Sequence, residues 1–128
     1  MIVILDTNFL MIPGEFHVDI FEELDRLFNV IYHTYIFEGT IQELERLALG
    51  NTKDKDAAQV ALELIKQKNL KTLENSSSLV DDMIVEEIRR NPREYVVCTQ
   101  DKALKQRVKD EGSRVITLRS KKYLDYEV

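Results

Sequence analysis

The sequence predicts an α/β domain with a central, mostly parallel sheet flanked by helices, and three observations lead there. Ile2 to Leu5 and Glu94 to Thr99 are short runs dominated by apolar and β-branched residues, the pattern of strands covered on both faces in a parallel sheet. Longer stretches with helical spacing of apolar residues separate the short runs, and such alternation favours parallel pairing through right-handed crossovers. Each of the two runs also leads into an acid, directly to Asp6 or through Gln100 to Asp101. Open α/β sheets place their ligands there, in the crevice beyond the carboxyl ends of the strands.

In chain order, the first strand stops at Asp6 and is followed by Thr7 and Asn8, small hydrogen-bonding residues able to orient Asp6 or line the same crevice. Met11 to Gly14 is expected to be a loop, with Pro13 and Gly14 as its punctuation. Ile20, Phe21, Leu24, Leu27 and Phe28 recur at the spacing of one helical face, which predicts an amphipathic helix over Val18 to Phe28. Val30 to about His33 reads as a second strand. A helix is expected from about Tyr35 to Leu49, on the stripe Ile36, Thr40, Leu44, Leu47 and Ala48, with Glu43 at the border of the buried side.

Gly50 and Asn51 end that helix, and Thr52 is a candidate N-cap for the next, whose buried stripe is Ala57, Val60, Ala61, Leu64 and Ile65. Leu70 to Leu73 reads as a short strand. Ser77 or Ser78 is a candidate cap for a helix from about Leu79 to Arg90, which puts Asp81 and Asp82 in its first turn. After the strand Glu94 to Thr99, the pattern predicts a helix over Asp101 to Lys109, a last strand over Arg114 to Leu118 and a mixed tail from Tyr123 to Val128.

With 128 residues, a single domain spanning 1–128 with one adequate core is expected. No apolar run is long enough to span a bilayer and strand-like residues begin just after Met1, so neither a membrane nor a signal peptide is expected and the location is read as cytoplasmic. Cys98 is the only cysteine and sits in an apolar run, which excludes an intrachain disulfide and suits a small buried side chain better than a nucleophile. His17 and His33 lack the spacing of a zinc site. The formal net charge of −5 is unusual for a partner made of phosphates, unless carboxylates bind divalent cations and so reverse the local sign.

Asp6 alone can be a turn residue, Glu43 a solvated helix residue, and Asp81 and Asp82 a response to the positive end of a helix. Neighbouring parallel strands would nevertheless bring Asp6 and Asp101 together, and helices packed beside them can aim Glu43 and Asp82 into the same space. Carboxylates sharing a cleft raise one another's pKa unless cations neutralise them. Oxygen donors of this kind suit magnesium or manganese, ions able to activate water and to stabilise a leaving oxygen in phosphodiester cleavage.

The segments LDTNFLM, IQELERL, SSLVDDMIVEEI and VVCTQDKALKQRV, in this order and over nearly the whole chain, resemble the PIN-domain nucleases. The resemblance implies a three-layer α/β sandwich and a magnesium- or manganese-dependent endoribonuclease. Carried over by motif, its metal-holding and catalytic acids are Asp6, Glu43, Asp82 and Asp101, with Asn8, Thr99 and Asp81 in supporting places. It also implies products with 5′-phosphate and 3′-hydroxyl ends. The motifs look closer to the branch that processes ribosomal RNA in archaea and eukaryotes than to toxin ribonucleases of toxin–antitoxin pairs. RNA phosphates would meet Lys102, Lys105 and Arg107, or Arg89, Arg90 and Arg93. A homodimer and pre-ribosomal assembly partners are compatible with this reading. The alternatives are a non-catalytic PIN-like scaffold that binds RNA or an assembly partner, a toxin ribonuclease, and a phosphotransfer enzyme. A phosphatase of the haloacid dehalogenase type would need an acid where Asn8 stands.

Overall fold

The run Ile2–Leu5 forms β1, and Val3, Ile4 and Leu5 are fully buried, as an apolar strand with no solvated face must be. The computed structural model describes residues 1–77 and 79–128. On one side β1 pairs in parallel with β2 (His33–Phe37), and β2 in turn with β3 (Lys71–Leu73). On the other side it pairs in parallel with β4 (Tyr95–Cys98), which is followed by parallel β5 (Arg114–Arg119) and antiparallel β6 (Tyr123–Glu127). The strand order is β3-β2-β1-β4-β5-β6. The register sets Ile2 opposite Tyr95 and Leu5 opposite Cys98, so Asp6 and Thr99 emerge side by side at the carboxyl edge.

Among the described residues seven α-helices cover the sheet: α1 (Thr7–Leu10), α2 (Ile12–Phe16), α3 (Ile20–Leu27), α4 (Glu38–Ala48), α5 (Lys55–Gln67), α6 (Val80–Ile88) and α7 (Lys102–Asp110). Alternation along the strands divides the interior in two. Val3, Leu5, Val96 and Cys98 face a core with Phe9, Leu24, Ile36, Leu44 and Ala58. Ile4 and Val97 face the opposite core, with Met83, Ile84 and Ile88 of α6 and Leu104 and Val108 of α7. The result is the three-layer arrangement expected from the sequence.

Several boundaries differ from the sequence reading, among them the N-cap of α5, where Asp54 rather than Thr52 stands. Ile12–Gly14 is helical rather than a loop, with Met11 as the cap before it: Pro13 lies in the first turn of α2, where its missing N–H costs no bond, and His17 ends the helix in a left-handed conformation. The second strand starts at His33 instead of Val30, because pairing begins where His33 meets Ile2. Val30 and Ile31 are 59% and 82% exposed. The following helix therefore starts at Glu38 rather than Tyr35. The tail is not mixed but forms β6, zipped against β5 from Arg119–Tyr123 to Val115–Glu127. The reading of Ser78 as a cap lies outside the described residues, while the Ser77 hydroxyl accepts from Leu79 N–H (3.3 Å), one residue ahead of α6.

Gly14 brings α2 against α5, where a Cβ would lie 2.6 Å from the Cα of Ala57. Gly14→Ala is expected to lower stability in urea unfolding by about 1–3 kcal/mol through overpacking. An unchanged midpoint would show that the two helices can separate at no cost.

Candidate active site

Asp6 ends β1 as the N-cap of α1, and one carboxylate oxygen accepts from Thr7 N–H at 2.9 Å. Its other oxygen accepts from the Thr99 hydroxyl at 2.7 Å. That hydroxyl oxygen in turn accepts from the backbone N–H of Asp101 at 3.0 Å, so one threonine ties together the acids at the ends of β1 and β4. Asn8 closes the seam, its Oδ1 accepting from Gln100 N–H at 3.1 Å. Burial pushes the Asp6 carboxyl up to about 6; the bonds from Thr99 and Thr7 oppose the rise, and the negative charges of Asp81 and Glu43 add to it.

The other acids arrive from both helical layers. Thr40 of α4 is buried with its hydroxyl 3.4 Å from that of Thr7, and Glu43, nearly one turn further along the same face, reaches the cleft. Asp101 caps α7, with Oδ1 accepting from Leu104 N–H at 2.8 Å. Asp81 and Asp82 sit in the first turn of α6, about 100° apart around the helix axis. Asp82 pairs with Arg107 of α7 at 3.0 Å. The Asp81 carboxyl is raised by burial first and then by the charge of Asp101, with Arg107 acting against it. Glu43, Asp81, Asp82, Asp101 and Arg107 line one cleft of about 410 Å³ together with Asp6, Thr7, Asn8, Leu79 and Val80.

Asp6, Glu43, Asp82 and Asp101 thus converge, as do Asn8 and Asp81, while Thr99 lies buried directly beneath. The inward role given to Asp82 from the sequence falls more naturally to Asp81. The charges that act on Asp6 from across the cleft are those of Asp81 and Glu43, whereas Asp82 is turned toward Arg107. Among the basic candidates, Arg107 lies in the cleft and Lys102 begins α7 at its rim. Lys105 does not reach it: its ammonium group bonds Thr117 at 2.8 Å and Glu127 at 3.5 Å. Arg89, Arg90 and Arg93 fall at the far end of α6 and before β4, at the amino edge of the sheet. Gln100, given no role from the sequence beyond leading to Asp101, accepts from the Thr117 hydroxyl and from Leu118 N–H, both at 2.8 Å. Its position directly before Asp101 was the only available signal.

The donor set is carboxylate and amide oxygen, which suits a hard divalent cation. Among the described residues no three Asp, Glu, His or Cys side chains form a ready-made cage. Magnesium seldom uses one, since it keeps several waters and takes one or two carboxylates. Asp6 and Asp101, each fixed by hydrogen bonds, are residues that could hold such an ion, and Glu43 and Asp81 line the same cleft.

A family profile described as a PIN like domain matches residues 3–121. The chain belongs to that family. It is 30% identical to Ribonuclease VapC4 of Methanocaldococcus jannaschii over 124 residues, spanning 96% of this chain and 94% of the relative. Its fold matches the PIN domain endonuclease Utp24 with a TM-score of 0.81 and 26% identity, over 98% of this chain and 90% of that one. A domain of a functionally unknown protein from Methanocaldococcus jannaschii shares the fold at a TM-score of 0.61 and 18% identity, covering 93% and 91% of the two chains.

Two outcomes test the seam. The native Asp6 carboxyl titrates near 6 against an ordinary 3.8, so the folded chain holds a proton that the unfolded chain releases between these values. Stability is then lost as pH rises from about 4 through 6, by up to about 3 kcal/mol for a shift of roughly two units. In chelator, Asp6→Asn should match the wild type at pH 4 and exceed its stability at pH 7.5; a gap independent of pH would refute the assignment. Thr99→Val should weaken manganese binding measured by calorimetry by about 10- to 100-fold, as loss of a group that orients a ligand does.

Proposed function

We propose that the protein is an endoribonuclease that hydrolyses RNA phosphodiester bonds with magnesium or manganese, acting in ribosomal RNA processing. The observation that carries this reading is the convergence of Asp6, Glu43, Asp81, Asp82 and Asp101 on one cleft, where Thr99 fixes two of them in place. The family supports nuclease chemistry, and the likeness to a ribonuclease and to the endonuclease Utp24 supports RNA as the substrate and cleavage within a strand.

When bound, the ion offsets the charge of the carboxylates and acidifies water for attack on phosphorus. The protein supplies the rest. Thr99 and the Thr7 amide hold Asp6 in one rotamer, and the capping bond to Leu104 holds Asp101. Arg107, drawn off Asp82 by an incoming phosphate, can form a charge-assisted pair with its oxygens. In-line displacement of the ribose 3′ oxygen leaves 5′-phosphate and 3′-hydroxyl ends.

A toxin ribonuclease held in check by an antitoxin uses the same chemistry, and the 30% identity to Ribonuclease VapC4 supports it as the second reading. Expression of the chain alone separates the two: growth arrest relieved by a neighbouring gene product favours the toxin, and altered precursor ribosomal RNA ends favour processing. With labelled single-stranded RNA and manganese, Glu43→Gln and Asp101→Asn should each lower kcat/KM by roughly 100-fold or more, beyond the effect usual for supporting residues. Cleavage that survives both changes, or that persists in chelator, sinks the metal-nuclease reading.

A further inference from the structure

Charge is unevenly spread along this chain. Residues 102–122 contain eight Lys and Arg against two acids, in a protein whose net charge is −5. Several of these cations are already engaged within the fold. Lys105 and Lys109 pair with Glu127, Arg107 pairs with Asp82, and Arg114 lies over the ring of Tyr126. Among the described residues Lys102, Arg119, Lys121 and Lys122 have no ion pair. Lys102 begins α7, and the other three form the β5–β6 turn. Because β5 runs parallel to β4 and β1, that turn projects from the edge that holds the acidic cleft. It stands two strand spacings, roughly 10 Å, from the end of β1.

The turn is well defined. Lys122 N–H donates to the Arg119 carbonyl at 3.0 Å, and the two residues between them, Ser120 and Lys121, both take left-handed φ values of 51° and 56°. Consecutive left-handed residues at the two central positions are what a tight hairpin turn of this hand requires, and they hold the tip in one conformation. Tyr123 pairs across the hairpin with Arg119 and leaves 43% of its surface in solvent. The base of the hairpin is coupled to the cleft through Gln100, which donates from its backbone to Asn8 and accepts through its side chain from Leu118 N–H.

We infer, on the reading of RNA as substrate, that the β5–β6 hairpin tip is a binding subsite for single-stranded RNA leaving the cleft. Arg119, Lys121 and Lys122 take its phosphates, Lys102 bridges the tip to the cleft, and Tyr123 offers a stacking surface for one base. Phosphate contacts give affinity without sequence preference, and an exposed aromatic beside them is the usual platform for an unpaired base. The subsite also resolves the charge problem, because the strand is attracted beside the acids rather than over them.

The test uses a fluorescein-labelled twelve-nucleotide single-stranded RNA, with binding read by anisotropy in calcium and cleavage read in manganese. R119Q/K121Q/K122Q should weaken binding at least tenfold and lower the slope of log affinity against log salt by about 2, near 0.7 for each lost contact. It should raise KM with kcat unchanged. K121Q/K122Q, altering only exposed side chains of the turn, gives a smaller shift of the same kind if the triple variant folds poorly. Y123A should weaken binding about fivefold or more. The charge-matched control R89Q/R90Q/R93Q, at the opposite edge, should bind as wild type does. Equal losses in both triple variants, or none in the hairpin variants, overturn the subsite. If wild type binds through the hairpin yet cuts nothing, the nuclease reading falls and the subsite stands. If wild type cuts RNA and the hairpin variants bind and cut equally well, the subsite falls and the nuclease reading stands.

Discussion

The hydroxyl of Thr99 donates to the Asp6 carboxylate and accepts from the Asp101 amide, and much of the molecule is arranged to allow that pair of bonds. They require β1 and β4 to be neighbours, parallel, and in a register that leaves Asp6 and Thr99 level. A slip of one residue would turn every side chain of a strand to the other face. The two cores exclude it, since Leu5 and Cys98 belong to one and Ile4 and Val97 to the other. A buried carboxylate is costly unless it is hydrogen-bonded; here both oxygens have donors and the remaining cost appears as a carboxyl that resists ionisation.

The layers on the two sides of the sheet contribute different parts of the site. From one side, α4 carries Thr40 to meet Thr7 and so delivers Glu43. From the other, α6 and α7 pack through Met83, Ile84, Leu104 and Val108, and their facing sides place Asp81, Asp82 and Arg107 over the same cleft. The pair between Arg107 and Asp82 relieves part of the repulsion among the acids. It is half-exposed, so its own contribution to stability is small and its cation is available to a ligand.

Much of the fold was legible because it depends on periodicity. The central strands, the amphipathic stripe on Ile20, Phe21 and Leu24, and the alternation of strand and helix all follow from local patterns of apolar residues. The misread segments are those where local preference and pairing disagree. Val30 and Ile31 have strand-like side chains but lie before the point where β2 meets β1; Pro13 and Gly14 resemble loop punctuation, yet one opens a helical turn and the other permits close packing on Ala57. The tail became a strand because β5 offered it an edge, which no local pattern encodes.

The same division runs through the site. Asp6 and Asp101 were recognisable as acids following buried strands, and the motif order drew Glu43 and the Asp81-Asp82 pair to them. Which of two adjacent aspartates turns inward depends on the rotation of α6 against α7, and whether Lys105 meets solvent or Glu127 depends on where β6 lies. By itself the sequence determined the central strands, the longer amphipathic helices and the acids at their ends, because apolar spacing and chain direction are local properties. Only the tertiary structure decided which charges meet, since Coulomb energy and hydrogen bonding fall off over a few ångströms and those distances are set by packing between elements remote in the chain.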